Sequence, residues 1–185
     1  MPDTLESHYG SDGIVDRIVD ALDQSGTDTS SLTPDSFAGA DEFHIGGRKG
    51  SELVADLLNI EEGKRIIDLG CGIGGPARFL ARTKGVHVTG IDLTPEFVEA
   101  ASALTELVGM SDKVDFHVGS ATSIPFDDDS FDAATMIHVG MNIADKAVMM
   151  SEMARVTRAG GTVLIYDVMR VGSGALTYPM PWSST

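Results

Sequence analysis

The chain has 185 residues, 42% of them hydrophobic, which suits one domain with a buried core, and its one cysteine, Cys71, excludes an internal disulfide or a multi-cysteine zinc site. The net charge of −15 opposes binding to nucleic acid. The acidic composition serves either solubility or adaptation to a salty cell, where salt screens the repulsion between like charges. No apolar run approaches the roughly 20 residues of a membrane span, and the polar, acidic start is unlike a secretory signal, so we expect a cytoplasmic protein that does not bind membranes.

The N-terminal region predicts an amphipathic helix followed by an irregular connection. Apolar residues recur at helical spacing from Ile14 to Leu22, and Ser25, Gly26 and Thr27 follow as a stop signal. A second helix is predicted at about residues 48–58, with its large apolar side chains on one side. We assign residues 1–47 to an N-terminal helical cover.

From residue 64 onward, short β-branched runs alternate with helical stretches, the pattern typical of βαβ units and a parallel sheet covered on both faces. Pro76 and Pro95 suit first helical turns, whereas Gly85, Gly109 and the pair at 160–161 suit helix ends. The sequence therefore predicts an α/β fold with residues 48–170 as its core. The predicted strands are residues 65–69, 86–91, 114–118, 131–137 and 162–168, and the helices between them are at about residues 76–82, 95–108 and 143–157.

The strongest motif is IIDLGCGIGGP at residues 66–76, where a buried strand runs into a glycine-dense turn and then a helix. Glycine adopts positive φ angles and has no Cβ, so a ligand can lie against bare backbone N–H groups. Gly70, Gly72 and Gly75 also spell the G-x-G-x-x-G of dinucleotide-binding dehydrogenases. Asp68 argues against that alternative, because its charge opposes a pyrophosphate but favours a ligand that carries an ammonium and a sulfonium. Alternatively, Asp68 only holds the loop in place by hydrogen bonds. Cys71 occupies its position in the loop chiefly because its side chain is small.

Two further candidate positions follow the next two strands. Asp92 ends the second strand about twenty residues past the glycine loop, where a carboxylate can accept both hydroxyls of a ribose. It could equally cap the next helix, although Thr94 is better placed for that role. The turn at Ser120 and Ala121 follows the third strand, and Ser120 could accept a hydrogen bond from an adenine amino group or be merely a loop residue.

The fourth strand is followed by His138, at the edge of the sheet that faces the expected crevice. A histidine titrates near neutrality, so His138 is the candidate for removing or relaying a proton in catalysis. Hydrogen bonding to a cofactor's tail or to the loop backbone is an equal alternative. Asp127, Asp128 and Asp129 look like an acidic metal site but are more typical of a solvated turn, and we predict no metal.

Together these positions resemble the class I methyltransferases that bind S-adenosylmethionine, and the resemblance covers essentially the whole chain. More narrowly, FHIGG at 43–47, GIGGPAR at 72–78 and HVGMNI at 138–143 are similar to the sarcosine and dimethylglycine N-methyltransferases. The resemblance implies a Rossmann-like, mostly parallel sheet of order 3-2-1-4-5. In full-length relatives an antiparallel pair of strands completes this sheet. Residues 171–185 are too few to form that pair, so we expect it to be missing. That segment, with Tyr178 and Trp182, resembles the start of the acceptor side, or it is a disordered tail.

The resemblance also implies which residues hold the cofactor. In this family the acidic residue and the glycine loop bind the methionine part, the acid after the second strand binds the ribose, and the turn after the third strand flanks adenine, commonly with an aspartate where this chain has Ser120. The N-terminal cover lies over the cofactor, or only packs. The implied cofactor-binding residues are Asp68, Gly70, Cys71, Gly72 and Gly74 in the loop, Asp92 and Leu93, Ser120 and Ala121, His138, and Tyr9, Phe43 and His44 in the cover.

The function that follows from the resemblance is methyl transfer from S-adenosylmethionine to a small molecule, with S-adenosylhomocysteine as product. The narrower likeness indicates N-methylation of a glycine-derived or similar amine, with His138 accepting the amine's proton and aromatic rings such as Tyr9, Phe43 or Trp182 holding a methylated ammonium. A carbon or oxygen acceptor, small or lipid-like, and an inactive cofactor-binding module remain alternatives. We expect a monomer or a homodimer.

Overall fold

A computed structural model of the chain describes residues 13–173. Tyr9, Tyr178 and Trp182, for which cover and acceptor-side roles are predicted, lie outside these residues. The helices are α1 (Ile14–Gln24), α2 (Ala38–Asp41), α3 (Arg48–Leu58), α4 (Gly75–Lys84), α5 (Pro95–Leu107) and α6 (Lys146–Val156). The strands are β1 (Arg65–Leu69), β2 (His87–Asp92), β3 (Val114–Val118), β4 (Phe131–Ile137) and β5 (Thr157–Tyr166).

The five strands form one parallel sheet in the order β3-β2-β1-β4-β5, which confirms the predicted fold. Because all five run the same way, their carboxyl ends meet at one edge of the sheet, called the carboxyl edge below. The strand order reverses between β1 and β4, and in such sheets ligands bind in the crevice at this switch point. The central strand β1 is therefore the element that positions a site.

Side chains of β1 point alternately to two cores, as the pleat of a strand requires. Ile66 packs with residues of α3 and α4, whereas Ile67 and Leu69 pack on the other face with Met149 and Met153 of α6. Covering both faces leaves β1 completely buried after its first residue. Burying an aliphatic side chain stabilises the fold by about 1.5–3 kcal/mol, so the two cores fix β1 firmly under the site.

The N-terminal cover packs mainly on helices. Val15 of α1 and Phe37 form an apolar cluster with Leu104 of α5. Asp41 at the end of α2 forms a buried ion pair with Arg78 of α4, with 2.8 Å between the oxygen and the nitrogen. The apolar cluster also includes Ile73 of the loop between β1 and α4, so the cover reaches the carboxyl edge of the sheet. Within the described residues, no helix is long and apolar enough to cross a membrane.

The structure corrects the prediction at β5, which starts at Thr157 and ends at Tyr166 instead of spanning 162–168. The glycine pair at 160–161 does not end helix α6, which stops at Val156. Pairing with β4 is interrupted after Thr157 and resumes at Thr162, so the glycines lie in a bulge. Gly160 has a φ of +80°, a conformation that glycine adopts without strain.

The same helix also begins later than the predicted residue 143. Ile143 closes a short 3₁₀ turn, Gly140–Asn142, and α6 begins at Lys146. Asp145 precedes it and its carboxylate accepts a hydrogen bond from the N–H of Val148 at 3.0 Å, which is a helix cap. The cap was therefore the correct start signal, and the apolar pattern before it belongs to the turn.

Candidate functional site

The glycine loop between β1 and α4 is bent back against β2 and leaves one face open. The N–H groups of Gly70 and Cys71 both donate to the carbonyl of Ile91, at 2.8 and 3.0 Å. Gly70, Gly72 and Gly74 have φ angles of +74°, +53° and +85°, which favour glycine. A Cβ placed on Gly72 would meet no atom within 4 Å. A ligand can therefore approach the backbone at Gly72.

Asp92 ties the glycine loop to the end of β2. One carboxylate oxygen accepts from the N–H of Gly72 and the other from the N–H of Thr94, both at 3.0 Å. Thr94 occupies the N-cap position of α5 but its side chain makes no capping hydrogen bond. Leu93 lies next to this carboxylate and is 70% exposed. The predicted pair of Asp92 and Leu93 thus stands at the open face of the loop.

Asp68 lies below the loop, buried to 2% exposure. Its carboxylate accepts a hydrogen bond of 2.8 Å from the hydroxyl of Thr135, its register partner on β4. Burial raises the pKa of Asp68 to about 6; the hydrogen bond from Thr135 opposes that rise, and the charge of Asp92 adds to it. At neutral pH the site therefore has a negative charge beneath the glycine loop.

Ser120 and Ala121 stand at the same edge, because the N–H of Gly119 donates to the carbonyl of Asp92 at 2.9 Å. Ala121 is buried, whereas Ser120 is half-buried. The Ser120 hydroxyl lies 2.8 Å from that of Thr122 and accepts from the Thr122 N–H at 3.2 Å. Its side chain is thus partly engaged in its own turn, although the turn is positioned as predicted.

His138 follows β4 at the carboxyl edge, in the left-handed conformation with a φ of +56°. Its N–H donates to the carbonyl of Tyr166 at 2.8 Å, which ties this strained residue to the end of β5. Within residues 13–173 the imidazole has no hydrogen-bond partner. Desolvation lowers the pKa of His138. The charge of Asp167 raises this pKa and the charge of His44 lowers it, and the net effect is a lowered pKa. A neutral imidazole without a partner can accept a proton.

The two cover residues predicted at 43 and 44 have different surroundings. Phe43 is 98% exposed, so no packing within residues 13–173 holds it against the other site residues, and its cover role stays a prediction. His44 is buried, with its ring centroid 6.0 Å from that of His138. Its Nε2 lies 3.0 Å from the carboxylate of Glu42, whose hydrogen bond raises the pKa of His44 against desolvation. The cover thus reaches the carboxyl edge through His44.

Cys71 is part of the glycine loop and is almost fully buried. Burial raises the pKa of its thiol well above the ordinary range, and the charges of Asp68 and Asp92 raise it further. The thiol therefore remains protonated, and a protonated thiol is a poor nucleophile. Its position fits the prediction that it is a small loop residue.

Several site residues were not predicted from the sequence. Thr135 lies opposite Asp68 only because of the register between β1 and β4, which no local pattern reveals. Glu42 is two residues before His44, a spacing that does not itself indicate a contact. Asp167 directly follows β5, and its carboxylate accepts from the N–H of Met141 at 2.9 Å. An acid at the end of the fifth strand was a signal available in the sequence.

The arrangement suits a ligand with a cationic group, a ribose and a flat apolar part. Asp68 provides negative charge, the open backbone at Gly72 allows close approach, and Asp92 provides carboxylate oxygens next to exposed Leu93. His138 adds a proton acceptor at the other side of the switch point. These donors and acceptors fit the parts of S-adenosylmethionine, which carries an ammonium, a sulfonium, a ribose and an adenine.

Comparisons with known proteins give a consistent result. The methyltransferase domain family matches residues 67–165, from β1 to β5. A probable tocopherol O-methyltransferase from Oryza sativa is 42% identical over 102 residues, 55% of this chain and 28% of its own length. A sterol 24-C-methyltransferase from Gibberella zeae is 34% identical over 131 residues, 71% of this chain and 34% of its own length. The chain spans less than half the length of these curated relatives.

Solved structures show the same architecture. A Galdieria sulphuraria protein provisionally named a sarcosine dimethylglycine methyltransferase superposes with a TM-score of 0.65 at 26% identity, over 83% of this chain and 59% of that one. A phosphoethanolamine N-methyltransferase from Haemonchus contortus, in complex with S-adenosyl-L-methionine, superposes with a TM-score of 0.64 at 26% identity, over 80% of this chain and 35% of that one.

Proposed function

This chain belongs to the methyltransferase domain family, and from that membership we propose that it forms the cofactor-binding core of an enzyme that transfers a methyl group from S-adenosylmethionine to a small-molecule amine. The acceptor we propose is glycine-derived or a similar amine. The likeness to the Galdieria protein supports this acceptor class, as do the sequences around Phe43 and His138.

One observation carries the cofactor assignment. Asp68, the open backbone at Gly72 and the carboxylate of Asp92 meet at one edge of the sheet, with a hydrogen bond joining the last two. When bound, S-adenosylmethionine supplies a methyl group activated by the charge of its sulfonium. We assign Asp68, with the loop from Gly70 to Gly74, to the methionine part and Asp92 to the ribose hydroxyls.

The adenine assignment rests on the residues that flank the Asp92 carboxylate. Leu93 is exposed enough to lie against a flat ring, and Ala121 offers a small apolar surface in the neighbouring turn. Ser120 has a hydroxyl partly engaged by Thr122, so we assign it the weaker polar contact with adenine. The chain's part in the transfer is to hold the two reactants close and to exclude water.

We assign His138 to the acceptor's proton. A free amine titrates near 10 and so arrives as an ammonium, whose nitrogen has no lone pair for attack. The neutral His138 ring can take that proton, which leaves the acceptor nitrogen free to form its bond to the methyl group. The proton then resides on the imidazole and passes to solvent.

The experiment that tests this proposal incubates the chain with labelled S-adenosylmethionine and a panel of glycine, sarcosine, phenols and sterols, and follows the label by mass spectrometry. We expect label in the amines, and a loss of about 10²-fold or more in the rate when His138 is replaced by alanine. Label confined to phenols or sterols would contradict the amine assignment.

The oxygen acceptor is the second candidate, because the relative with 42% identity is named a tocopherol O-methyltransferase. A phenol also gives up a proton before methylation, so His138 can serve either acceptor. A third reading is a cofactor-binding module without activity. Cofactor binding with no labelled product, and transfer restored in a longer chain, would assign the 185 residues to an incomplete part of an enzyme.

A further inference from the structure

The imidazole of His44 is surrounded by hydrogen-bond acceptors at both ring nitrogens. Nδ1 lies 3.2 Å from the carbonyl of Ile45, which can only accept, so Nδ1 carries a hydrogen. Nε2 lies 3.0 Å from a carboxylate oxygen of Glu42 and 3.2 Å from the hydroxyl of Ser51. That hydroxyl donates its own hydrogen to Glu42 at 2.5 Å, so it too can only accept from the ring. Both nitrogens therefore face acceptors, an arrangement that favours the imidazolium form of His44 and agrees with its raised pKa.

The charge of His44 is held in place by its surroundings. Its side chain is 4% exposed and that of Glu42 is 5% exposed. Burial alone would raise the pKa of Glu42, but hydrogen bonds from His44 and Ser51 and the charge of Arg48 outweigh it and lower the pKa. The Glu42 carboxylate thus keeps its charge, and loss of the charge on His44 would leave that buried carboxylate without this partner, which is unfavourable.

His138 is the nearest titratable group that the proposed reaction uses. The two imidazole centroids are 6.0 Å apart, and both rings also lie against the ring of Tyr166, at 5.6 Å for His138 and 6.2 Å for His44. Two positive charges at this distance repel, so protonation of His138 is disfavoured while His44 is charged.

Other charged groups around His138 do not reverse this effect. Asp167, which follows β5, favours protonation of the ring, but its carboxylate also accepts from the Met141 N–H. Lys146 of α6 donates to the carbonyl of Gly140 in the turn after His138. Desolvation and His44 together outweigh Asp167, so the net effect lowers the pKa of His138.

We infer that His44 is a positioning residue that acts through its charge: paired with Glu42, it presents a fixed imidazolium to His138 and favours the neutral form of that ring. The inference rests on the proposed function in one respect, because a neutral His138 matters for an acceptor that must lose a proton. The interaction of the two rings itself does not depend on the acceptor or on the cofactor.

The test is a proton NMR titration of the histidine rings in the full chain, without acceptor or cofactor. The chain has five histidines, so single substitutions assign each signal. In the unsubstituted chain we expect His44 to lose its proton at a higher pH than His138. The reverse order overturns the inference, and the two titrations that are compared are both measured in the unsubstituted chain.

A variant pair separates charge from packing. His44→Gln removes the charge, and His138 should then titrate at higher pH; two unit charges 6 Å apart in bulk water correspond to about a threefold change in proton affinity, the smallest change we expect. His44→Lys restores a charge and should return the titration of His138 toward its original position. An unchanged titration in a folded His44→Gln chain, judged from its amide spectrum, overturns the inference.

The matched control is His87→Gln, since His87 begins β2 at the opposite edge of the sheet and is exposed. This variant should leave the titration of His138 unchanged; an equal shift would show that the effect is not specific to His44. Failure of the proposed function is distinguishable, because the titration can succeed when no amine is methylated. If amines are methylated and the rings do not interact, only the role of His44 is lost.

Discussion

Gly70 and Gly72 share the left-handed backbone conformation but differ in what surrounds them. A Cβ on Gly70 would lie 2.3 Å from Cγ2 of Val139, whereas the space beside Gly72 is open. Both positions carry the strain of a side chain at positive φ, about 1–2 kcal/mol. Only Gly70 adds a steric clash. The loop therefore needs glycine at 70 for packing and at 72 for approach of a ligand.

We expect Gly70→Ala to lower the free energy of unfolding by about 2–5 kcal/mol, the sum of backbone strain and overpacking. Gly72→Ala should cost about 1–2 kcal/mol, and its larger effect should be weaker binding of S-adenosylmethionine, because the added methyl group faces the open side of the loop. Urea unfolding of both variants measures the loss of stability, and calorimetric titration measures their affinity for S-adenosylmethionine. Equal losses of stability, with unchanged cofactor affinity for Gly72→Ala, would contradict it.

The pKa of Asp68, raised by burial to about 6, makes cofactor binding depend on pH. The carboxyl group is neutral below that pH and charged above it. Affinity for the cationic methionine part should therefore be highest above about pH 7 and fall as the pH drops through about 6, by up to about tenfold per pH unit. Titration calorimetry across this range measures the effect.

The matched variant for this pH effect is Asp68→Asn, which keeps the size of the side chain and removes the charge. Its cofactor affinity should be lower at neutral pH and should vary less between about pH 5 and pH 8. A wild-type affinity that is the same at both pH values would contradict a charged role for Asp68.

At the residue scale, sequence patterns located the glycine loop, Asp92 and His138, because motifs at strand ends are local. They did not locate Thr135, which meets Asp68 through strand register, nor the contact between His44 and Glu42. The first is a tertiary contact, and the second is a local contact at a spacing of two residues, which does not itself indicate one. The prediction that Phe43 shares a cover role with His44 came from the resemblance to the methyltransferases, and of the two it is His44 whose ring lies beside that of His138.

Among the elements, Arg78 of α4 connects the cover to the core. Its guanidinium is fully buried and donates to Asp41 at the end of α2, to the carbonyl of Ile73 in the glycine loop and to Thr105 of α5, each at 2.8 Å. Three elements thus depend on one side chain. A buried charge without its partner is strongly unfavourable.

We predict that Arg78→Met lowers the free energy of unfolding by about 3–5 kcal/mol, because Asp41 is left buried without its cation. Adding Asp41→Asn should recover part of that loss. The control is Arg82→Met on the same helix, where the pair with Asp35 is largely exposed and is worth about 0–1 kcal/mol. Urea unfolding gives the free energy of unfolding of Arg78→Met, of the double variant and of Arg82→Met for comparison. A control as destabilised as Arg78→Met would contradict this account.

Element boundaries were predictable where a local signal marks them. Helix α3 and strands β1, β3 and β4 have their predicted bounds. The start of β5 could not be predicted from a local signal, because Thr157 joins the strand by pairing with Phe131 on β4. The glycine pair suggested a helix end, but pairing between strands decides whether a glycine ends an element or forms a bulge.

For the whole molecule, the dominant feature is the net charge of −15. Like charges on a compact chain repel each other, and salt screens this repulsion, with a Debye length of about 30 Å at about 0.01 M and about 3 Å at about 1 M. The melting temperature at neutral pH should therefore rise with sodium chloride concentration across this range. Thermal unfolding followed by circular dichroism measures it, and a falling melting temperature would contradict the expectation.

The central claim is that the carboxyl edge of this sheet binds S-adenosylmethionine and not a dinucleotide. The G-x-G-x-x-G spacing at Gly70, Gly72 and Gly75 and the ribose-binding position of Asp92 suit both classes, so the charge of Asp68, which opposes a pyrophosphate, decides between them. The most direct measurement is calorimetric titration of the chain with S-adenosylmethionine and, separately, with NAD. We predict one-to-one binding of S-adenosylmethionine that Asp92→Ala weakens, and no heat from NAD. Binding of NAD with no binding of S-adenosylmethionine would contradict the account.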